Sequence, residues 1–360
     1  MKTKPTIRDV AKVAGVSQGT VSRVINSQPY VNSETQRRVL EVMTQLRYQP
    51  NGVAQSMRTK ATRMVGFMIA DVTNPVFGSF VKAAEAILHS AGYTLLLANT
   101  AGNPVIESEL VTVLQQRRVD GLILSVGNED NPALVSALRD VPFPVVLMDR
   151  DLGLPFDAVL ADHAKGMYQA THHLLSLGHR RIALITASQS IRPGRERLKG
   201  FEQAHIAMGL RPDPILTRSD SLSAEYGFRE AHSMLTARRP PTAIIAGGNQ
   251  TLAGVLKAVG MLGLKIPEQL SLITCDDTDL AALYSPPITV ISRDLSEMGL
   301  TSAELLLYRL RSAEDGEARR VMLPTQTILR DSCAAPLGFK GDPNHGRSDK
   351  DEAECGDNRC

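Results

Sequence analysis

Thr6-Ile-Arg-Asp-Val-Ala-Lys-Val-Ala-Gly-Val-Ser-Gln-Gly-Thr-Val-Ser-Arg-Val-Ile-Asn26 sets two amphipathic segments on either side of one glycine. Ile7, Val10, Ala11 and Ala14 fall at i, i+3, i+4 and i+7, the stripe of a helix with a single apolar face. Gly15 supplies the turn, Val16 plugs into a small core, and Ser17 is placed to cap the second helix. That helix directs Val21, Val24 and Ile25 inward and leaves Gln18, Thr20, Ser22, Arg23 and Asn26 facing outward. Two short helices joined by a glycine turn, the second with a polar outer face, make the helix-turn-helix that reads the major groove of DNA.

Charge agrees with this pattern. Residues 1–60 carry ten Lys/Arg against Asp9, Glu34 and Glu41, a net of +7; the whole chain is +2, so residues 61–360 sum to −5. Affinity for a polyanion is therefore concentrated in the N-terminal module, with counterion release supplying much of it. At 360 residues, 43% hydrophobic and 22% charged, the chain is an ordinary globular one of two or three domains. No stretch reaches the roughly eighteen apolar residues a membrane span needs. The opening Met-Lys-Thr-Lys-Pro-Thr has no apolar run behind it, so no signal peptide is expected. Cys275, Cys333, Cys355 and Cys360 show no metal spacing and read as reduced thiols of a cytoplasmic protein. Aromatic content of 4% without tryptophan disfavours a base-stacking single-strand binder.

Further along, a third helix is expected from about Ser33 to Leu46, capped by Ser33 with Gln36 three residues on, its buried stripe being Val39, Leu40, Met43 and Leu46. The segment Tyr48–Lys60, with Pro50 at its mouth and Gly52 inside, reads as a hinge that orders only in a particular context. From Met64 the texture changes. Apolar runs at 64–70, 93–98, 121–125, 144–148, 181–186, 242–246, 270–274 and 289–291 read as strands. Between them, helices are expected over 76–91, 105–117, 164–177, 197–208, 224–237 and 250–262. Continuous apolar strands alternating with helices mean parallel sheets covered on both faces. Their two sets and uneven spacing favour two doubly wound lobes over a closed barrel. The tail beyond Gly338, with six Asp/Glu and four Lys/Arg, is expected to be disordered and carries no leucine heptad.

Enzyme motifs are nearly absent. Gly15-Val-Ser-Gln-Gly19 fits the nucleophile-elbow spacing, but its context is helical and Ser17 is better placed as a cap. There is no phosphate-cradling loop or zinc helix motif, and His163, His172, His173 and His179 read as surface or cap residues. Neither a metal nor a cofactor is called for. In doubly wound lobes ligands sit at the carboxyl ends of strands, which nominates Asp71, Asn74, Phe77, Asp149, Arg150, Arg197, Asn249 and Asp276 for a cleft between lobes. Carboxylates, amides and arginines with one aromatic suit a polyol or small acid, which offers many donors and acceptors over thin apolar faces.

These residues carry a resemblance to the lactose-repressor/galactose-repressor family of bacterial transcription regulators over about residues 5–335. The motifs are Thr6-Ile-Arg-Asp-Val-Ala, Ala14-Gly-Val-Ser17, Thr20–Asn26, Tyr48-x-Pro-Asn51 with Val53-Ala54, Asp71…Asn74-Pro75, Asp120-Gly121, Leu177–Ile182, Arg197-x-x-Gly-Phe201 and Asp276-Asp277. The resemblance implies a small helical DNA-binding domain (1–49), a hinge (50–61) and a periplasmic-binding-protein-type domain of two parallel-sheet lobes (62–335), followed by a tail (336–360). The first lobe would comprise about 62–161 plus 292–322, the second 162–291 plus 323–335. It also implies a homodimer on a near-palindromic operator, contacted by Thr6, Ser17, Gln18, Gly19, Thr20, Ser22, Arg23, Asn26, Asn51, Val53, Ala54 and Met57. Met57 falls where the family inserts a leucine into the minor groove. The expected function is repression of a carbohydrate or sugar-acid operon under an effector held in the cleft. Three further positions depart from the family pattern. Gly19 offers no side chain to a base, Gly248 stands where an asparagine is common, and Leu222 stands where an aromatic often stacks on the sugar.

Overall fold

The computed structural model describes residues 5–26, 30–49, 61–312 and 316–337. The chain divides after Arg63 into two compact units. In the first, α1 (Ile7–Ala14), α2 (Gln18–Ile25) and α3 (Ser33–Gln45) enclose Val10, Ala14, Val21, Val24 and Val39. Gly15 ends α1 at φ +66, a left-handed conformation that a Cβ would strain, and this lets α2 turn across α1. Two expectations for α3 are corrected. Its cap is Asn32, whose side chain accepts the Thr35 N–H at 2.7 Å, because Ser33 already lies inside the helix. Its buried stripe uses Val42 in place of Leu40, which is 46% exposed, because Val39 and Val42 mark a face rotated away from Leu40. The hinge segment 50–60 and the tail from 338 onward lie outside the described residues.

The second unit contains two six-stranded sheets. The first has the order β11-β5-β4-β3-β1-β2, from β1 (Met64–Ile69), β2 (Thr94–Asn99), β3 (Gly121–Leu124), β4 (Val145–Met148), β5 (Asp157–Ala161) and β11 (Arg320–Leu323), all parallel. The second has the order β12-β10-β9-β8-β6-β7, from β6 (Ile182–Ala187), β7 (Thr217–Asp220), β8 (Ala243–Ala246), β9 (Ser271–Cys275), β10 (Thr289–Arg293) and β12 (Thr325–Ile328). Among the described strands only β12 runs antiparallel, against β10. Helices α4 (Pro75–Ser90), α5 (Pro104–Gln116), α6 (Pro132–Arg139) and α12 (Leu295–Arg311) flank the first sheet. The second is flanked by α7 (His163–Ser176), α8 (Arg192–Ala207), α9 (Ala224–Leu235), α10 (Asn249–Leu262) and the short α11 (Asp279–Leu283). The chain passes between the sheets three times, after β5, after β10 and from β11 to β12. The two doubly wound lobes read from the sequence are thus present.

The eight expected strands become twelve among the described residues. The four extra ones, β5, β7, β11 and β12, are short, and all but β5 lie at sheet edges, where β7 and β12 carry mostly polar residues and β11 only a three-residue apolar run. β2 is a half-exposed edge strand rather than a continuous buried one, which its leucines disguise. Helix α8 begins five residues before the expected Arg197, because Pro193 is tolerated in a first helical turn, where no intrahelical donor is needed.

Candidate functional site

In the helix-turn-helix unit, Ser17 caps α2: its Oγ accepts the Thr20 N–H at 3.1 Å and lies 3.0 Å from Thr20 Oγ1. A helix rather than a strand precedes Ser17, so the elbow spacing of Gly15–Gly19 has no elbow behind it. Gln18, Gly19 and Arg23 are exposed, while Thr20, Ser22 and Asn26 are half-buried on the same helix. The Asn26 side-chain amide turns back to donate to the Ser22 carbonyl. Thr6 serves α1 first, donating its hydroxyl to the Asp9 carboxylate at 2.7 Å in a reciprocal capping box. This arrangement presents amide, hydroxyl and guanidinium groups on one short rigid helix, the donor set suited to base edges and phosphates. Asn51, Val53, Ala54 and Met57 lie outside the described residues.

In the second unit a narrow cleft lies between the carboxyl ends of the two sheets. One wall carries Asn74, Phe77, Phe80, Ser125, Asp149 and Arg150; the other carries Pro193, Arg197, Leu222, Asn249, Gln250, Asp276 and Arg293. Seven of the eight residues chosen from strand ends line it. Asp71 does not, because its carboxylate folds back to accept Thr73 N–H at 2.8 Å and Thr73 Oγ1–H at 2.7 Å. The remaining Asp71 oxygen accepts the Gln250 side-chain amide at 2.6 Å, a bond from one lobe to the other. Asn74 caps α4 through Val76 N–H, and Asn249 Oδ1 accepts the Thr278 hydroxyl at 2.5 Å. Arg197 lies in the second turn of α8 rather than opening it.

A buried ion network forms the cleft floor. Asp149 and Asp276 follow the ends of β4 and β9 in equivalent places, both with positive φ, +56 and +68. Arg293, at the end of β10, bridges them: its Nη1 donates to Asp149, and its Nε donates to Asp276 at 2.7 Å. Asp149 also accepts from His163 Nε2 at 2.8 Å. Burial acts to raise the Asp149 carboxyl, but His163, Arg293 and Arg150 together hold it well below the usual carboxylate range. Burial dominates at His163 and takes the imidazole down to about 4 despite the Asp149 partner. Arg293 goes the other way: Asp276 and Asp149 outweigh burial and keep it charged. Arg150 spends its donors on the backbone carbonyls of Val126 and Asp149.

Arg197 differs from its neighbours. It is 2% exposed, it lines the cleft, and its Nε and Nη1 take no hydrogen-bond partner among the described residues. Three guanidinium groups therefore meet two carboxylates in the lining, and the least compensated is Arg197. Two histidines read as surface or cap residues are buried: His163 in the floor, and His179 held by Thr242, Ser271 and the Ala334 carbonyl. Their partners lie up to 155 residues away, so local pattern could not show them. Arg293, Gln250 and Ser125 were missed. The signal for Arg293 was present, since carrying the strand at 289–291 two residues further brings Arg293 under the same strand-end rule. Among the described residues no His/Cys/Asp/Glu group is arranged to hold a metal ion.

With this geometry established, comparison with known proteins is specific. Residues 6–51 match the bacterial regulatory proteins of the lacI family, and residues 171–333 match the periplasmic binding protein-like domain. The HTH-type transcriptional regulator DegA of Bacillus subtilis is 35% identical over 93% of this chain and 99% of its own. The HTH-type transcriptional repressor PurR of Photobacterium profundum is 32% identical over 91% and 98%. Among solved structures, the Lac repressor dimer bound to operator and the anti-inducer ONPF superposes with a TM-score of 0.81 at 28% identity, covering 92% of this chain and all of that one. A complex of the transcriptional regulator CelR with cellobiose gives 0.70 at 29%, covering 91% and 99%.

Proposed function

This chain belongs to the lacI family of bacterial regulatory proteins, DNA-binding transcriptional repressors with an effector-binding domain, and we propose that it represses a carbohydrate or sugar-acid catabolic operon as a homodimer in the bacterial cytoplasm. Gln18, Thr20 and Arg23 read bases of a near-palindromic operator, Ser17 and Ser22 fix the helix on the phosphates, and the segment around Asn51, Val53, Ala54 and Met57 enters the minor groove. No cofactor takes part. The effector is a sugar or sugar acid held in the cleft, and closure of the two lobes around it changes operator affinity.

The observation that carries the choice of effector is Arg197, buried in the cleft with two donors unmet. Unmet buried donors are costly, so a ligand supplying acceptors there gains more than one of equal size without them. Phe77 and Leu222 supply thin apolar faces, and the floor carboxylates accept hydroxyl protons. Operator selection from random DNA with the full chain tests the first half of the proposal, and should return an inverted repeat. Thermal-shift screening of neutral sugars against aldonic and uronic acids tests the second. Stabilisation by neither group, with stabilisation by an unrelated class, would remove the sugar reading.

A further inference from the structure

Helix α8 carries Arg197, yet its own sequence cannot cap it. The N-cap position is Ile191, with no side-chain acceptor. In its first turn, Gly194 and Arg195 N–H groups return to the Ile191 carbonyl at 3.0 and 3.3 Å, and Pro193 has no N–H to satisfy. That leaves Arg192, whose N–H is accepted at 2.9 Å by Oε1 of Glu129. Glu129 belongs to the opposite lobe, in the loop between β3 and α6. Its second oxygen accepts from Arg195 Nη2 at 2.5 Å, its own N–H donates to the Ser190 carbonyl at 2.9 Å, and Asp151 N–H holds Oε1 from behind at 3.1 Å. The side chain is 2% exposed.

We propose that Glu129 is a capping latch between the lobes: it supplies the N-terminal carboxylate that α8 lacks, holds the cleft closed, and so aims Arg197 into it. A carboxylate on a helix N-terminus meets both an orphan donor and the positive end of the macrodipole, and here burial strengthens each contact. Of the other lobe-to-lobe bonds described above, those of Arg293 and His163 to Asp149 lie in the cleft floor near the strand crossings, while Asp71 with Gln250 is a single contact on a half-buried carboxylate and contributes less. Closure is thus biased at the α8 end before any effector arrives, and the effector adds only its differential affinity for the closed form. The latch concerns the ligand-free chain and stands apart from the sugar reading; only its consequence for the effector rests on that reading.

The test is amide hydrogen exchange on the full chain without ligand, comparing wild type, Glu129→Gln and Glu129→Ala. Loss of a cap and charge pair corresponds to about 5- to 30-fold faster exchange at Gly194, Arg195 and Glu196 in Glu129→Ala. Exchange should also rise at 72–74 and 250–252, at the mouth of the cleft, while β6 and β8 keep wild-type protection. Glu129→Gln keeps an acceptor but loses the charge, and should fall between; if the alanine variant does not fold, the glutamine variant alone decides. Wild-type protection at 194–196 in the folded variant overturns the proposal. So does a uniform increase across both sheets, which is the mark of general destabilisation, or loosening confined to 191–196, which would make Glu129 a cap with no hold on closure. An effector later found to bind elsewhere would leave these exchange results unchanged and would sink only the sugar reading.

Discussion

Replacing Arg197 by methionine is expected to stabilise the ligand-free chain while abolishing its response to effector. The guanidinium is 2% exposed, and its Nε and Nη1 have no partners among the described residues. Each buried donor left unpaired costs about 1–3 kcal/mol. Methionine keeps an unbranched apolar stem of similar reach and fills irregular space well, so most packing of the stem is retained. Removing two such donors and forfeiting some contact leaves a net gain of about 1–3 kcal/mol. The chain has no tryptophan, so urea unfolding is best followed by circular dichroism. The midpoint should move up without a change in slope. A parallel thermal-shift panel of sugars and sugar acids should include at least one compound that shifts wild type and leaves Arg197→Met unmoved. A lower midpoint for the variant would refute the reasoning, since Arg197 would then be satisfied within the fold rather than kept for a ligand.

Arg23→Ala should flatten discrimination between selected operator and scrambled DNA by about 1–3 kcal/mol, with non-specific binding nearly retained; an unchanged sequence logo in a selection experiment would exclude direct readout by Arg23. Asp276→Ala leaves Arg293 buried with one of its two carboxylates and should cost about 3–5 kcal/mol of stability by denaturant titration. A variant as stable as wild type would show that the floor network does not depend on Asp276. Acid should also destabilise the fold through His163 and His179, each held down to about 4 from 6.5, chiefly by burial. Both bind more protons unfolded than folded between those values, so their contribution is complete above pH 6.5 and is lost as pH falls toward 4, by roughly 3 kcal/mol each at most. A melting temperature flat across that interval would contradict the burial of both rings.

The alternation of apolar runs with helices was enough to read two parallel-sheet lobes, because central strands such as β3, β4 and β8 are buried on every residue. The edge strands β7 and β11 escaped notice for different reasons: Thr217–Asp220 is polar and partly exposed, so no periodicity marks it, and Arg320–Leu323 offers only three apolar residues, too short a run to stand out. Within the cleft, the strand-end rule found Asp149, Arg197 and Asp276, since those positions follow from local pattern. It could not show what each side chain is bonded to. Asp149 meets Arg293 across 144 positions of sequence, and Arg195 meets Glu129 across 66. Such pairs depend on the lobes having assembled. For the same reason the helix-turn-helix was read almost completely: its turn glycine and the Ser17 cap act within a few residues, and its small core is built from periodic helix faces.

The cleft combines a pinned floor with one unbalanced charge, and the two belong together. Asp149 and Asp276 both accept a left-handed backbone conformation, which disfavours most side chains, and both give oxygens to Arg293. Arg293 sits where the chain crosses from β10 of the second lobe to α12 of the first. Both carboxylates are therefore tied to a residue at a strand crossing, where lobe rotation moves atoms least. Arg197 stands away from that pivot on α8, the helix whose cap comes from the opposite lobe. A ligand bonding Arg197 and the floor together would report directly on whether Glu129 has docked. Were the unpaired charge on Arg293 instead, it would meet the ligand equally in the open and closed forms, and equal affinity for two states shifts neither.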